Sequence, residues 1–423
     1  MKALVVDYGL TIELARLLAR DLDGEVGYFS PWVSSFAEPK ATMLGTGLED
    51  EGVKRIDFPW SLLDSPDEPD IWVFPDLYFT DWQQHLRAMG KNVWGSGPGE
   101  LLELDRWKLH KLMKDAGLPV ADAVTINGID SLRHALSEHD GWRDERRFIK
   151  LSQYYRGATE TYEHKGWPAS RSWFDDLAHT VGPAGDKIRF MLQEPIEGDS
   201  VEPGIDLIVM NGSILTPMLL GYEDKDRGLI STIIEGEPDC MAESLDAVTR
   251  ALSSEEPYTN FFSGEMRVTE SGLCYFIDAT CRMPRPGDGA HQKLCKNLAP
   301  IIDGGSRGIS PFPDYRAKFC CQLMLSSPWA KEHPMHVRFP EELRDNILLY
   351  YFYRDDDGEY WTLPHNVEQV VSVVTTGDDL EKVKQECLDI AKEIEGDQLT
   401  FKHDVFEQIE EMIEKGQSYG VDW

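Results

Sequence analysis

Two carboxylates and an arginine are spaced so that they could share one face of a β-hairpin. The residues Glu270–Leu273 are typical of a turn between two strand-like runs. Counting outward from a two-residue or a four-residue loop places Glu265 directly across from Asp278. Opposed residues share a face, as do residues two apart on a strand, so Thr280 and Arg282 are predicted to project on the same side.

This set of side chains suits a metal-bound nucleotide. Two adjacent carboxylates repel each other unless a cation lies between them. Carboxylate oxygens suit Mg²⁺ or Mn²⁺, and Mg²⁺ commonly takes its other ligands from water and nucleotide phosphates. Arg282 could then offset charge on a transferred phosphoryl group. Taken alone, a hairpin with exposed charges is the simpler interpretation, and the motifs upstream decide between the two.

The elements that position the hairpin begin with a predicted parallel α/β domain over residues 1–98. Strand-like apolar runs at 2–7, 71–75 and 92–94 alternate with helical patterns, of which the first carries Ile12, Leu14, Ala15 and Leu18. A chain of 423 residues is long enough for about three domains.

The predicted second domain, residues 99–315, contains the hairpin at 262–282. It begins with one long helix from Leu101 to Met113 and then has strands at 147–151, 188–193 and 205–210. Residues 316–423 are predicted to form a smaller α+β lobe. Its strands are expected at 347–353 and 370–375, followed by a helix capped by Asp378 or Asp379.

Composition limits the partners. The chain has 75 acidic against 42 basic residues, and a net charge of −33 would repel a nucleic-acid backbone. There is no uninterrupted apolar stretch of about 18 residues and no signal-like start, so a cytoplasmic protein away from membranes is expected. Seven cysteines without zinc-site spacing are expected to be reduced and mostly buried.

The hairpin resembles the metal-binding hairpin of the ATP-grasp superfamily. In that family a Glu on one strand is followed on the next by Glu/Asp-x-Asn-x-Arg, and here the run is Asp278-Ala279-Thr280-Cys281-Arg282. The resemblance implies Glu265, Asp278 and Thr280 as metal ligands, with Thr280 replacing the usual Asn. It implies Arg282 as a catalytic residue.

Two upstream motifs resemble the phosphate-binding parts of the same family. The helix ending in Ala116-Gly117-Leu118-Pro119 places Arg106 where the family has a phosphate-contacting Lys. The strand 147–150 ends in Lys150, which the resemblance makes both a phosphate contact and a catalytic residue. The segment 152–157 stands where the family has a glycine-rich flap, within a flap region of about 147–190. It is poor in glycine here, and Arg156 is expected to compensate.

A further motif, 191–198, resembles the hinge that holds adenine in ATP-grasp enzymes. The resemblance implies that backbone groups of Glu194 and Ile196 contact the adenine edge, with the Gln193 side chain in the place of a usual Glu. Glu202 is the candidate for the ribose hydroxyls. The implied fold is an ATP-grasp fold, α/β and α+β in class, and the implied ligands are ATP with Mg²⁺ or Mn²⁺.

In layout the chain resembles the glycinamide ribonucleotide synthetase family, with two departures. The segment Asp7–Glu13 is acidic where that family has a glycine-rich sugar-phosphate loop, and a second substrate loop reads Gly221–Gly228. Lys225 and Arg227 are the candidates for holding a substrate carboxylate, and Arg285 for the acceptor side. All three could equally be solvated charges.

These resemblances imply an ATP-dependent ligase that joins a small-molecule carboxylate to an amine through an acyl phosphate. The protein would be a monomer or a homodimer. Two alternatives stay open, namely authentic glycinamide ribonucleotide synthesis in purine biosynthesis and nucleotide binding without turnover.

Overall fold

The computed structural model describes residues 1–22, 24–31, 42–139, 142–151, 161–254 and 256–423. They form one parallel sheet and three antiparallel sheets, with helices packed against them. The predicted combination of α/β and α+β structure is confirmed. Among the described helices, none combines the length and apolar character needed to cross a bilayer.

A five-stranded parallel sheet with strand order β3-β2-β1-β4-β5 opens the chain, as predicted. Its elements are β1 Ala3–Val6, α1 Ile12–Asp21, β2 Val26–Phe29, β3 Val53–Arg55, β4 Ile71–Phe74, α2 Thr80–Ala88 and β5 Val93–Gly95. The predicted apolar stripe of α1 is buried in the core. Because the strands are parallel, their carboxyl ends meet at one edge of the sheet. Asp7 follows β1 at this edge, and Asp76 lies two residues after β4.

The single long helix predicted after this sheet is two helices, α3 Leu101–Leu104 and α4 Arg106–Asp115. Asp105 leaves the helical conformation, with φ −119° and ψ 88°, and its carboxylate accepts hydrogen bonds from the N–H groups of Trp107 and Lys108. This is an N-cap in the middle of an apolar periodic run, so the periodicity alone did not reveal it. Arg106 becomes the first residue of a new helix.

A four-stranded antiparallel sheet in the order β6-β9-β7-β8 follows. Its elements are β6 Ala123–Asn127, α5 Ile129–Glu138, β7 Arg147–Leu151, β8 Thr161–His164, α6 Trp167–Val181 and β9 Arg189–Gln193. It has a separate hydrophobic core that includes Leu132, Ile149, Phe174 and Phe190. Lys150 and Gln193 are carried by its two central strands.

The largest sheet has nine antiparallel strands and holds the hairpin. They are β10 Ser200–Val201, β11 Pro203–Met210, β12 Ser213–Asp224, β13 Gly228–Ile234, β14 Asn260–Thr269, β15 Cys274–Thr280, β16 Phe319–Ser326, β18 Ile347–Leu349 and β21 Gln369–Gly377. The helices α7 Asp239–Leu252 and α8 Leu298–Ser306 lie between these strands in the sequence. Strands from the last hundred residues thus extend the sheet that carries the hairpin.

A three-stranded sheet and two helices complete the chain. They are β17 Met335–Val337, β19 Phe352–Arg354, β20 Tyr360–Thr362, α9 Leu380–Lys392 and α10 Val405–Ser418. The strand predicted at 347–353 is two strands, which belong to different sheets. Asp379 caps α9, as one of the two predicted candidates, by accepting from the Lys382 N–H. The predicted domain boundaries at 98 and 315 stay predictions.

A buried ion pair joins α1 to the last hundred residues. The Arg344 Nη2 atom lies 2.8 Å from Glu13 Oε1, and both side chains are about 5% exposed. Arg16 and the Leu349 N–H also donate to the Glu13 carboxylate. Burial alone would raise the pKa of Glu13, but Arg344 and Arg16 outweigh it and lower the pKa to about 2.

We therefore expect Glu13→Gln to lower the free energy of unfolding by about 3 kcal/mol, because Arg344 keeps a buried charge without its partner. Since the folded pKa lies below the usual 4.5, the carboxylate's contribution is present above about pH 4.5 and is lost as the pH falls toward 2. Denaturant unfolding of both proteins across this range measures the difference. Glu395→Gln, which breaks an exposed pair with Arg338, is the control. Parallel pH curves for the wild type and Glu13→Gln would contradict the assignment.

Candidate active site

The hairpin pairs Glu265 with Asp278, as predicted, although the turn differs from the prediction. Val268 pairs with Cys274, one residue earlier than a two-residue or four-residue loop would place it. A register shift beyond Met266 and Phe276 leaves Ile277 as an extra residue and restores the predicted pairing. The one-residue difference at the turn and the extra residue Ile277 offset each other, so the Glu265 and Asp278 carboxylates lie opposite each other on paired strands.

Neighbouring strands extend this row into a trough. Glu265 also pairs with Gly204 of β11, and Gly204 pairs with Gly221 of β12. A Cβ atom at Gly204 would have only the Gly221 carbonyl oxygen nearby, at 3.9 Å. Gly204 therefore leaves open space beside the carboxylate pair, whereas a Cβ atom at Gly221 would lie 2.9 Å from Leu229 Cδ1. The trough is lined by Glu202, Gly204, Asp206, Gly221, Glu223, Lys225, Leu229, Ser263, Glu265, Thr280, Pro284, Arg285 and Pro286.

Two cations from other elements meet the carboxylate pair. The Arg106 Nη1 atom lies 2.5 Å from Asp278 Oδ2, and Lys150 Nζ donates to the Ile277 carbonyl oxygen at 3.3 Å. Arg106 starts α4 and Lys150 lies on β7, so three separate elements converge here. The structure thus brings together four of the residues predicted for the nucleotide and the metal.

The charged side chains of this group shift one another's pKa values. Burial and the neighbouring Asp278 raise the pKa of Glu265. Burial alone would also raise the pKa of Asp278, but Arg106 and Lys150 outweigh it, and that pKa is lowered. Burial and the positive charge of Arg106 lower the pKa of Lys150 to about 8. The site therefore places two acidic and two basic groups close together in a poorly solvated space.

Arg282 is held by acidic residues that the sequence analysis missed. Its Nε atom lies 3.0 Å from Glu103 Oε1 and 3.8 Å from Asp76 Oδ1. Glu103 also accepts from the Cys281 N–H at 2.6 Å, and burial raises its pKa to about 7. Asp76 could have been identified, since it follows a strand of the parallel sheet at its carboxyl end. Glu103 precedes the helix break, which the sequence pattern did not reveal.

A second pocket lies between α4, the end of β9 and β15. It is lined by Arg106, Leu109, His110, Val120, Ala121, Met191, Gln193, Ile196, Tyr275, Phe276 and Ile277. Gln193 and Ile196, which were predicted to contact adenine, thus line one pocket, and their contact with adenine stays a prediction. The Glu194 N–H donates to the Asp122 carbonyl oxygen, and its carboxylate pairs with Arg147, so neither group is free to contact adenine as the structure stands. Glu202 lines the trough instead and is ion-paired with Arg267.

The substrate candidates separate into two groups. Lys225 and Arg285 line the trough. Arg227 is exposed instead, and its Nη1 atom lies 3.5 Å from Asp224 Oδ1. The Arg285 guanidinium stacks on the Tyr350 ring at 4.9 Å. The Nη1 atom of Arg285 is buried and has no hydrogen-bond partner among the residues that the structure describes. Arg156 and the flap 152–157 lie outside the described residues.

The loop after β1 is closed by its own acidic residue. Asp7 is fully buried, and its Oδ1 atom accepts from the Gly9 N–H at 3.0 Å and from the Tyr28 hydroxyl. Its Oδ2 atom accepts from the Thr11 N–H and hydroxyl at 2.5 and 2.8 Å. Two backbone N–H groups of this loop, those of Gly9 and Thr11, therefore already bind a carboxylate of the chain.

The donor set on the hairpin suits a hard divalent cation. Within the described ranges, no group of three or more His, Cys, Asp and Glu residues could hold a metal by itself. Glu265 and Asp278 offer two carboxylates and Thr280 a hydroxyl, so Mg²⁺ fits as an ion whose remaining ligands come from nucleotide and water. These metal assignments stay predictions.

Comparison with known proteins gives matches to solved structures alone. No protein-family model and no curated protein matches the sequence. Phosphoribosylamine–glycine ligase from Thermotoga maritima has a TM-score of 0.67 at 17% identity over 96% of this chain and 100% of that chain. The biotin carboxylase domain of 2-oxoglutarate carboxylase from Hydrogenobacter thermophilus, in complex with MgADP, has a TM-score of 0.66 at 11% identity over 99% and 95%.

A third similar structure is N5-carboxyaminoimidazole ribonucleotide synthetase from Thermotoga maritima. Its TM-score is 0.56 at 14% identity, over 94% of this chain and 99% of that chain. All three similarities extend over nearly the whole chain. The chain therefore has the ATP-grasp fold, and its layout is like that of phosphoribosylamine–glycine ligase.

Proposed function

We propose that this protein is an ATP-dependent ligase that joins a small-molecule carboxylate to an amine, with release of ADP and phosphate. The observation that carries the proposal is the pairing of Glu265 with Asp278 beside Arg106 and Lys150. This group lies between the pocket at the end of β9 and the trough. The similar structures with the same fold, one of them bound to MgADP, support this assignment.

The nucleotide half of the site would work by position and charge. Gln193, Glu194 and Ile196 hold the adenine at the end of β9, and Arg106 and Lys150 contact phosphates. Mg²⁺ held by Glu265 and Asp278, with Thr280 beside them, would neutralise phosphate charge when bound. Arg106 then exchanges its contact with Asp278 for one with phosphate.

The chemistry proposed for the trough has two steps. A carboxylate oxygen of the substrate attacks the γ-phosphorus, the bond to the bridging oxygen of ADP breaks, and an acyl phosphate forms. Lys150 and Arg282 offset the negative charge that develops on the transferred group. The amine nitrogen then attacks the acyl carbon, phosphate leaves, and loss of the ammonium proton gives the amide. Lys225 and Arg285 are the proposed contacts for the substrate carboxylate.

Hydroxylamine trapping tests this proposal without knowledge of the amine. Hydroxylamine converts an acyl phosphate to a coloured hydroxamate, so a panel of amino acids and nucleotide-derived acids can be screened with ATP and Mg²⁺. We expect at least one acid to give hydroxamate and ADP in equal amounts. Nucleotide binding with no acid-dependent ADP release would instead favour a binding protein without turnover.

A second candidate is synthesis of glycinamide ribonucleotide, which the similarity to phosphoribosylamine–glycine ligase favours. The loop around Asp7 argues against it, because the N–H groups of Gly9 and Thr11 donate to Asp7 and are not available to a sugar phosphate. We therefore propose the broader activity, acting on small molecules in the cytoplasm.

Lys150→Ala should weaken ATP binding by about 10- to 100-fold, since a charged contact to phosphate contributes about 1.5–3 kcal/mol. Isothermal titration with ATP and Mg²⁺ measures the loss, and the melting temperature should change little. Lys165→Ala, which removes an exposed ammonium paired with Glu163, is the matched control. Equal ATP affinity in both variants would show that Lys150 does not contact the nucleotide.

A further inference from the structure

Asp206 is a buried carboxylate of the trough that forms no ion pair with the residues that the structure describes. Asp206 is 6% exposed and lies on β11, two residues from Gly204 and on the same face. It pairs in register with Ser263, which pairs with Thr280 on the hairpin. Asp206 therefore faces the trough one row away from Glu265 and Asp278.

The charged groups with the largest effect on the pKa of Asp206 are acidic. Burial, and then Glu265 and Asp288, disfavour its ionised form, while the nearby Ser263 hydroxyl offsets part of this effect. Asp278, by contrast, is paired with Arg106. Throughout the described ranges, no Lys, Arg or His forms an ion pair with Asp206. A buried carboxylate surrounded by acids is a site that a bound cation would stabilise.

The loop that carries Arg285, Gly287 and Asp288 lies next to Asp206 and limits which charged groups can reach it. A Cβ atom at Gly287 would lie 2.8 Å from Asp206 Oδ2, so the loop that carries Arg285 passes directly beside it. Asp288 in the same loop is already bound by Gln322 and the Tyr350 hydroxyl. The trough thus offers an unpartnered guanidinium nitrogen of Arg285 for an anionic group and Asp206 for a cationic one.

We propose that Asp206 binds the ammonium group of the amine substrate, which is a primary amine without a phosphate group. This inference rests on the proposed function. The carboxylate substrate is repelled from Asp206 and attracted by Lys225 and Arg285, so the two substrates are sorted by charge. The open space at Gly204 lets the ammonium group lie beside Asp206. Once it has passed one proton to Asp206, the neutral amine nitrogen attacks the carbonyl carbon of the acyl phosphate and phosphate leaves.

The test compares two nucleophiles on Asp206→Asn. With the acid found by hydroxylamine trapping, ammonium, glycine, β-alanine, ethanolamine, putrescine and lysine are assayed for amide formation and for inhibition of hydroxamate formation. Hydroxylamine is uncharged at neutral pH and does not need the carboxylate. We expect the KM or Ki of the effective amine to rise about 10- to 100-fold, and the hydroxamate rate to stay within about threefold of wild type.

Two further variants serve as controls for the Asp206→Asn experiment. Gly204→Ala adds a methyl group to open space and should reduce amide formation without loss of folding. Asp314→Asn, at a surface pair with Lys296, controls for loss of an acidic group. An equal fall of both activities in Asp206→Asn, a raised Mg²⁺ requirement, or an unchanged amine KM would overturn the inference. Inactivity of all six amines with the wild type would also overturn it. Failure of hydroxamate formation in the wild type would instead contradict the proposed function.

Discussion

Asp278→Asn is expected to reduce Mg²⁺-dependent turnover by about 100-fold, the order of loss found when one preorganised group that stabilises charge in a transition state is removed. The amide has no charge to hold the cation against Glu265. It retains an oxygen that can accept from Arg106, whose Nη1 atom lies 2.5 Å from Asp278 in the structure. Rates of ADP release at varied Mg²⁺ concentrations measure the effect.

The fold should survive this substitution. Asn is close to Asp in volume, and the strand pairing of the hairpin is made by backbone groups, so we expect the free energy of unfolding to change by less than about 2 kcal/mol. Asp314→Asn serves as the control for a distant carboxylate. Wild-type turnover with an unchanged Mg²⁺ requirement would show that the hairpin does not hold the metal.

The hairpin is the part of the site that local sequence describes best. Its pairing depends on residues fewer than twenty apart, and a turn signal with alternating polarity is enough to predict which side chains share a face. Even here the pairing next to the turn differs by one residue from the predicted pairing. The extra residue Ile277 restores the predicted pairing of Glu265 with Asp278. A bulge of this kind has no clear sequence signal.

Contacts between distant elements explain what the sequence did not reveal. The Arg106–Asp278 and Arg282–Glu103 contacts join residues more than 170 positions apart. They depend on the helix break at Asp105 and on how α3 and α4 pack against β15. Asp206 was missed for a similar reason, since its position relative to Ser263 follows from pairing between strands that lie far apart in the sequence.

The acidic loop after β1 gives the predicted poor phosphate site a different physical cause. The sequence placed the carboxylates of Asp7 and Glu13 where a sugar phosphate would need glycine N–H donors, and like-charge repulsion was the expected reason for weak binding. In the structure both carboxylates point into the protein, where Glu13 pairs with Arg344 and Asp7 binds the Gly9 and Thr11 N–H groups. Competition for hydrogen-bond donors, more than repulsion, is therefore the physical reason to expect a poor phosphate site.

This mechanism gives a prediction for glycine and phosphoribosylamine as substrates. Two backbone N–H groups are withheld from the phosphate, and each hydrogen bond to a charged group contributes about 1.5–3 kcal/mol. Their combined loss corresponds to roughly a 100- to 10,000-fold lower kcat/KM than a dedicated enzyme would show. We expect little ribonucleotide product at saturating glycine, while another acid and amine release ADP, phosphate and amide in equal amounts.

The two substrate pairs should be assayed on the same preparation, so that a difference reflects the site and not the fraction of active protein. Hydroxamate formation with the acid identified by trapping reports that fraction. If glycine and phosphoribosylamine then react as fast as the other pair, the sugar phosphate must bind elsewhere or displace Asp7 from the Gly9 and Thr11 N–H groups. Displacement would expose a buried carboxylate at a cost that binding has to offset, which makes comparable kcat/KM values the result that contradicts the closed loop.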